Sequence, residues 1–402
     1  MRDLEEKALQ AKDKKAKLGV DIDLDAYTSE TVKHEYLDDL GRLSESDRER
    51  MILAGVDAEE RDRSGSYIQK DTTVIHSRSR MEGLQVIPIK EALKEDWVQE
   101  YYWKLVDVGT DKYTARAYLD LHDGYVIRAL PGSRVIHPVQ ACLYLEKEGI
   151  SQNVHNIIIA EEDSELHVIT GCATAAHLQT GLHVGISEFY VKKNARLSFT
   201  MIHHWAEQMM VRPRSVGIVE EGGLFLNNYI CMKPVKSLQM YPTTYLAGKG
   251  AVARFSSLLV GSPGSEMDVG GRIFLQAEET RAEIIARTIS NGGHIIARGD
   301  LIGEVPGVKA HLECRGLILN GGIIHAIPEL RGTVDGVEMS HEAAVGKIAQ
   351  EEIFYLMSRG LSEDEATSTI VRGFLSVDIP GLPPQLKAEI DRAVEESDKD
   401  MM

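Results

Sequence analysis

Between about residues 113 and 339 the chain is a succession of short segments in which apolar and polar residues alternate, each closed by a turn signal. The signals EED, KKN, EEGG, GKG, EET, PG and DG begin at positions 161, 192, 220, 248, 278, 306 and 335. Their spacing, about 27–31 residues, falls in the range of stacked structural repeats. After each signal comes a short alternating strand: SELHVITG, ARLSFTMI, LFLNNYI, AVARFSSLLV, AEIIARTIS and VKAHLECRG. Alternation assigns opposite faces to opposite surroundings. A unit of this length cannot bury its apolar face alone, and stacking makes one continuous core. The pattern predicts a parallel β-helix. A propeller repeats at roughly 40 residues or more, and a sandwich lacks a constant step. The expected class is therefore mainly β, a β-helix core over 113–339 with a helical or irregular region over 1–112 and a helical region over 340–402.

The flanks read differently. Ser44 followed by Asp47, then Met51, Ile52 and Leu53, then Gly55, predicts a short capped helix. The basic stretch over 63–82 reads as a mobile link, and Asp96 reads as the cap of a helix carrying Trp97, Tyr101 and Leu105 on one face. Toward the C-terminus, Ile348, Ile353, Leu356 and Met357 predict a helix ending at Gly360. Ser362 with Glu365 forms a capping box for a second helix, striped by Ala366, Ile370 and Phe374. Pro383 and Pro384 open a third, with Leu386, Ile390 and Val394 at helical spacing.

Composition narrows the function. The 402 residues include 43% hydrophobic and 27% charged residues, and the net charge is −17. That surface repels phosphate backbones and anionic lipid, which argues against nucleic acid and membrane partners. No run approaches the ~18 apolar residues of a spanning helix, and the charged start MRDLEEKALQ lacks the apolar core of a secretory signal. The expected location is cytoplasmic. The four cysteines (Cys142, Cys172, Cys231, Cys314) form no CxxC pair, so neither a disulfide framework nor a zinc finger is indicated.

Individual thiols are the remaining chemistry. In VKAHLECRG, Cys314 shares a strand face with Val308, Ala310 and Leu312, and in SELHVITGC, Cys172 shares one with Leu166, Val168 and Thr170. Both point into the coil, as a small core residue would. His341 and Glu342, in SHEAAVGKI, read as lying at a Ser-capped helix start. They are either an ordinary helix entrance or a displayed pair of ligands. His203 and His204 face opposite sides of a strand, which argues against a shared metal. The Gly-rich segments GSPGSEMDVGG and NGGHIIARGD lack the Gly-Lys-Ser/Thr ending of a P-loop, so no nucleotide is assigned to this chain.

Read together, GCATA at 171–175, AHLECRGLILNGG at 310–322, SHEAAVGKI at 340–348 and FYLMSRGLSEDEATSTIVRGFL at 354–375 resemble the SufB/SufD family of the Suf iron–sulfur cluster assembly system. The resemblance runs from about 115 to 380. It implies a right-handed parallel β-helix, C-terminal helices that dock a SufC-like ABC ATPase, and pairing with a second SufB/SufD-type chain, here a homodimer. It also implies that Cys172 accepts sulfur as a persulfide, and that Cys314, Glu342 and His341 hold a transient iron–sulfur cluster. Keeping Cys314 and Glu342 puts the chain on the SufB side. The implied role is an assembly scaffold rather than an enzyme. The alternatives are a solenoid that docks the ATPase without iron, and a β-helix carbohydrate-active enzyme.

Overall fold

The structure is a computed structural model and describes residues 2–233 and 235–375. Its centre is a β-helix of about eight turns with helices toward the termini. One face of the coil is a ten-stranded sheet. Its strands are β1 (Gly65–Lys70), β2 (Thr73–Ser79), β5 (Val139–Leu145), β7 (Glu165–Thr174), β9 (Arg196–His204), β12 (Leu224–Cys231), β15 (Val252–Gly261), β17 (Arg281–Asn291), β19 (Lys309–Leu319) and β21 (Glu338–Gly346). The order is β2-β1-β5-β7-β9-β12-β15-β17-β19-β21, parallel throughout except the β1–β2 pair.

The opposite sheet holds β3 (Leu84–Pro88), β4 (Tyr125–Ala129), β6 (Ser151–Ala160), β8 (Thr180–Val191), β10 (Gln208–Val211), β11 (Arg214–Val219), β13 (Ser237–Met240), β14 (Thr243–Leu246), β16 (Glu266–Leu275), β18 (His294–Gly303) and β20 (Ile323–Gly332). The apolar alternate residues of both sheets meet inside the coil. One core there runs from Tyr67 to Cys314.

The turn signals have a common physical cause. Each places one residue in the left-handed region: Asp163, Asn194, Gly222, Gly250, Glu279, Gly307 and Gly336 (φ 58°, 55°, 66°, 70°, 61°, 77° and 79°). Gly and Asn reach that region at little steric cost. The same corner therefore recurs once per coil.

The N-terminal region departs from expectation. The stretch expected as a mobile link is the β1–β2 hairpin, and β1 pairs in parallel with β5 and extends the coil. Tyr67 and Ile68 are fully buried. The basic residues around them are paired: Arg78 with the Glu60 carboxylate, and Arg80 Nη1 with the Glu60 carbonyl at 2.9 Å. Positive charge there marks partners, not solvation. The helix expected after Asp96 is a single 3₁₀ turn, Asp96–Glu100, with no side-chain cap. Trp103 adopts φ 54°, which bends the chain so that the Trp103, Leu105 and Val106 amides meet Glu188.

The other helices are α1 (Arg2–Ala11), α2 (Glu45–Ile52), α3 (Ile89–Ala92), α4 (Lys112–Leu119), α5 (Gln350–Ser358) and α6 (Glu363–Leu375). The Ser44 cap accepts from Asp47 N at 3.1 Å, as its spacing predicts. The Ser362–Glu365 box is also present, with Glu365 N to Ser362 Oγ at 3.2 Å and Ser362 N to Glu365 Oε2 at 2.7 Å. The helix expected from Pro383 lies outside the described residues.

Candidate functional site

Cys172 sits on β7 in the coil interior, fully buried, with Leu143 of β5 on one side and His203 of β9 on the other. Burial pushes its thiol well above the ordinary range, and Cys142 nearby adds to the effect. The glycine before it has a separate task. A Cβ on Gly171 would lie 2.4 Å from the Ala54 carbonyl oxygen, so only glycine lets the chain after α2 cross β7 there. Gly171→Val is expected to destabilise the protein by about 1–3 kcal/mol through this overlap, read as a lower midpoint of thermal unfolding. An unchanged midpoint would show that the crossing is not tight.

The next two inward positions of this row are His203 and Cys231. The Tyr229 hydroxyl is hydrogen-bonded to His203 Nδ1 at 2.7 Å, and the Cys231 thiol donates to the Lys233 carbonyl at 3.4 Å. Beside it runs the row of Cys314: Thr170, Met201, Tyr229, Ser257, Ala286, Cys314. Cys172 and Cys314 are five strand steps apart, about 24 Å along the coil. Between them is an internal cavity of about 40 Å³ lined by Met201, Tyr229, Ser257 and Ala286, among others. The small residues Ser257, Ala286 and Gly271 leave this space, and it holds roughly one to three waters.

Cys314, on β19, is 2% exposed and faces inward between Ala286 of β17 and Ala343 of β21. Burial, with Glu313 next to it, pushes its thiol up to about 11. His341 and Glu342 are not at a helix start as expected. They lie inside β21, in register with Leu312 and Glu313, and α5 begins only at Gln350. The SHEAAV segment continues the alternation for one more rung, which local capping signals cannot reveal. Parity then separates the pair. His341 falls on the inward face with Met339 and Ala343, the face of Cys314, whereas Glu342 falls on the outer one. β21 is the last rung among the described residues, and both side chains are exposed there. The structure thus brings Cys314 and His341 to one face at the open end and does not bring Glu342 to them within one chain.

Glu342 instead joins an outer ion-pair chain. Arg315 Nη2 is 3.1 Å from Glu342, Arg315 Nε is 3.0 Å from Glu313, and Arg287 Nη2 is 3.4 Å from the same Glu313 oxygen. Arg287 also donates to the Phe374 carbonyl of α6 at 3.3 Å. Helix α6 lies on the outer face of the sheet, where Val371 packs against Ile202, Ile230, Leu258 and Ile289. On α5, by contrast, Phe354 and Tyr355 are each 58% exposed, an apolar surface that the described residues leave uncovered.

Sequence reasoning missed the Tyr229–His203 bond, since neither residue belonged to a motif and only strand register joins them. It also missed one set of potential ligands, His34, Asp71 and Glu146. There, Asp71 accepts the amides of Glu146 and Lys147 (2.8 and 3.0 Å), and the Lys70 ammonium lies 2.9 Å from Glu146. Its positive charge is already supplied, and the group ties a strap of the N-terminal region to the coil. No helix among the described residues is long and apolar enough to cross a membrane.

Comparison with known proteins bears on what this arrangement serves. Residues 143–374 match the family model for the SufBD core domain of the SUF system of FeS cluster assembly. An iron–sulfur cluster assembly SufBD family protein of Methanothermobacter thermautotrophicus (strain Winter) is 48% identical over the full length of both chains. One of Archaeoglobus fulgidus is 52% identical over 89% of this chain and 96% of its own. A more distant one, of Pyrococcus horikoshii, is 32% identical over 90% of this chain and 80% of its own. With the β-helix, its flanking helices and these matches in agreement, the chain belongs to the SufBD family of iron–sulfur cluster assembly proteins.

Proposed function

We propose that this chain is the scaffold on which a nascent iron–sulfur cluster is built at a subunit interface, with sulfur received inside the coil at Cys172. The observation that carries this reading is the position of Cys314. It is the cysteine nearest the open end, one rung from the exposed strand β21, and it shares its face with His341. A thiolate and an imidazole from one chain do not complete a cluster, which ordinarily takes four ligands. A second copy across a symmetric interface doubles the set, and a thin set suits a cluster that must be released. The last rung also leaves apolar Val345 exposed (40%), which a partner chain would cover.

Glu342 enters this reading from the outer face, as a ligand toward the partner chain or as the group that Arg315 withholds until pairing. The C-terminal helices are the handle for a SufC-like ABC ATPase, with Phe354 and Tyr355 of α5 as its contact. Movement of α6 would reach Glu342 through Arg287, Glu313 and Arg315. The cavity beside Ser257 and Ala286 supports a sulfur path from Cys172 to Cys314, although it stops one strand short of Cys314.

One specific feature favours a second reading, an ATPase-docking solenoid without iron: Glu342 is ion-paired with Arg315 and not turned toward Cys314. Anaerobic reconstitution with iron and a persulfide donor separates the two. For the scaffold, Cys172→Ser is expected to lower cluster yield at least about tenfold with a persulfide donor and much less with free sulfide, which needs no carrier thiol. Equal yields of wild type and Cys172→Ser from the persulfide donor would sink the sulfur-acceptor role, and no cluster bands in any protein would favour docking alone.

A further inference from the structure

Two corners of the coil treat positive charge differently. At the corner of left-handed residues, lysines meet a glutamate one rung on: Lys192 with Glu220 at 3.0 Å, Lys193 with Glu221 at 3.4 Å and Lys249 with Glu279 at 3.0 Å. At the corner where β7, β9, β12 and β15 end, neither Arg50 nor Lys236 has a carboxylate at ion-pair distance among the described residues. Arg50, on α2, is half-buried and fixed by its Nε bond to the Thr174 carbonyl at 2.9 Å. In a chain of net charge −17, cations gathered without counter-charge create a local positive potential.

Arg50 and Lys236, with Lys233, line an open cleft of about 780 Å³. Its depth follows from the connections between the sheets. The one over 205–207 is shorter than those over 175–179 and 232–236 on the rungs to either side, so it forms a floor between two walls. Trp205 and Met232 make part of the lining apolar, and Glu207 is its one carboxylate among the described residues. Two buried nitrogens at the floor have no hydrogen-bond partner there, Trp205 Nε1 and His204 Nε2, and leaving such atoms unpaired costs free energy. The indole N–H can only donate. His204 points outward, opposite to His203, by strand parity. Burial holds its imidazole neutral, down to about 3, and the charges of Lys233 and Arg50 add to the effect.

We propose that this cleft is a binding site for a small organic anion carrying two or more carboxylate or phosphate groups. Its volume falls within the range of small-molecule sites, roughly 300–1,000 Å³. Positive charge comes from two walls: Arg50 beside the end of β7, and Lys233 with Lys236 after β12. Opposed cations favour a ligand with two separated anionic groups, because a single small anion leaves one wall unmet. The Arg50 guanidinium suits a planar carboxylate or phosphate edge, and the lysines act as movable point charges. The apolar lining takes the ligand's uncharged body, and the indole N–H is a donor for one of its oxygens. Binding there would tie α2 to the corner of the coil.

Charge also limits the size of the occupant. Beyond the cleft the protein is acidic overall, so a long polyanion such as a nucleic acid would meet like charge on leaving it. A compact anion keeps all its charge among Arg50, Lys233 and Lys236. The site stands apart from Cys172 and Cys314, whose side chains face into the coil, so it does not depend on how sulfur or iron is handled.

The test is isothermal titration calorimetry of the full chain at low salt, with citrate as the carboxylate probe and tripolyphosphate as the phosphate probe. One saturable site per chain is expected for at least one of them, and the tighter probe identifies the anionic group. Lys236→Glu changes an exposed residue without an ion pair, so the fold should stand, and it is expected to weaken binding at least about tenfold. Lys249→Glu, at the opposite corner, should bind as wild type does. The same probe should raise the thermal midpoint of wild type and of Lys249→Glu, and raise that of Lys236→Glu much less, since a ligand stabilises the state it binds. No saturable binding of either probe overturns the proposal. So does equal affinity in wild type and Lys236→Glu, or an equal loss in Lys249→Glu, which would mark general attraction to surface charge.

Discussion

Replacing Cys314 with serine is expected to remove the visible cluster bands on anaerobic reconstitution, lowering bound iron at least about tenfold. Loss of a mere outer-shell partner costs a metal site roughly 10–100-fold, and Cys314 is proposed as a direct ligand. Serine is nearly isosteric and occupies a site between Ala286 and Ala343, so the coil should fold unchanged. Cys142→Ser serves as the control, because Cys142 lies on the outer side of β5 against Met51, Ala54 and Val56. The sign of the pH dependence follows from the thiol held up at about 11. A ligand must be deprotonated, so each bond to iron releases a proton and loading should improve as pH rises from 7 toward that value. Wild-type cluster yield in Cys314→Ser would refute the site.

The second large effect concerns stability. Glu188→Ala is expected to cost about 3–5 kcal/mol, the range for removing one partner of a fully buried hydrogen-bonded pair. Glu188 and His155 are both fully buried, with Oε2 2.8 Å from Nε2. The same carboxylate accepts the amides of Trp103 and Val106 at 2.8 and 3.0 Å, as well as that of Leu105. The His155 ring also lies 4.7 Å from the rings of both Tyr102 and Trp103. One carboxylate thus fastens the N-terminal region to β8. The urea midpoint should fall by more than about 1 M for a slope of 1–3 kcal/mol/M. Glu188→Gln keeps one acceptor and should lose less. Equal midpoints for wild type and Glu188→Ala would show that this region is held by its apolar contacts alone.

The contrast between Cys314 and Glu342 shows how far local pattern carries. The inward aim of Cys172 and Cys314 is legible because strand parity is a local property, and their apolar neighbours at every second position declare the face. The position of Glu342 was misread for the opposite reason. A serine followed by His-Glu-Ala resembles a helix entrance, and only pairing of Lys309–Leu317 with Glu338–Gly346 makes it a strand. The hairpin at 65–79 departs for a similar reason, since its charges read as solvated, whereas Glu60, three residues before the basic stretch, is the partner of Arg78 and Arg80.

What the sequence determined by itself is the coil: its period, its corners and the direction of each strand's side chains. These follow from alternation and from one left-handed residue per turn, both encoded within a few neighbouring residues. The tertiary structure alone decided which residues share a level. His203, Tyr229, Cys172 and Cys231 meet because strands about 28–31 residues apart stack in register, and Glu342 is parted from Cys314 because adjacent positions on a strand face opposite ways. Register is summed over the whole stack of hydrogen bonds and packed side chains, so no single segment carries it.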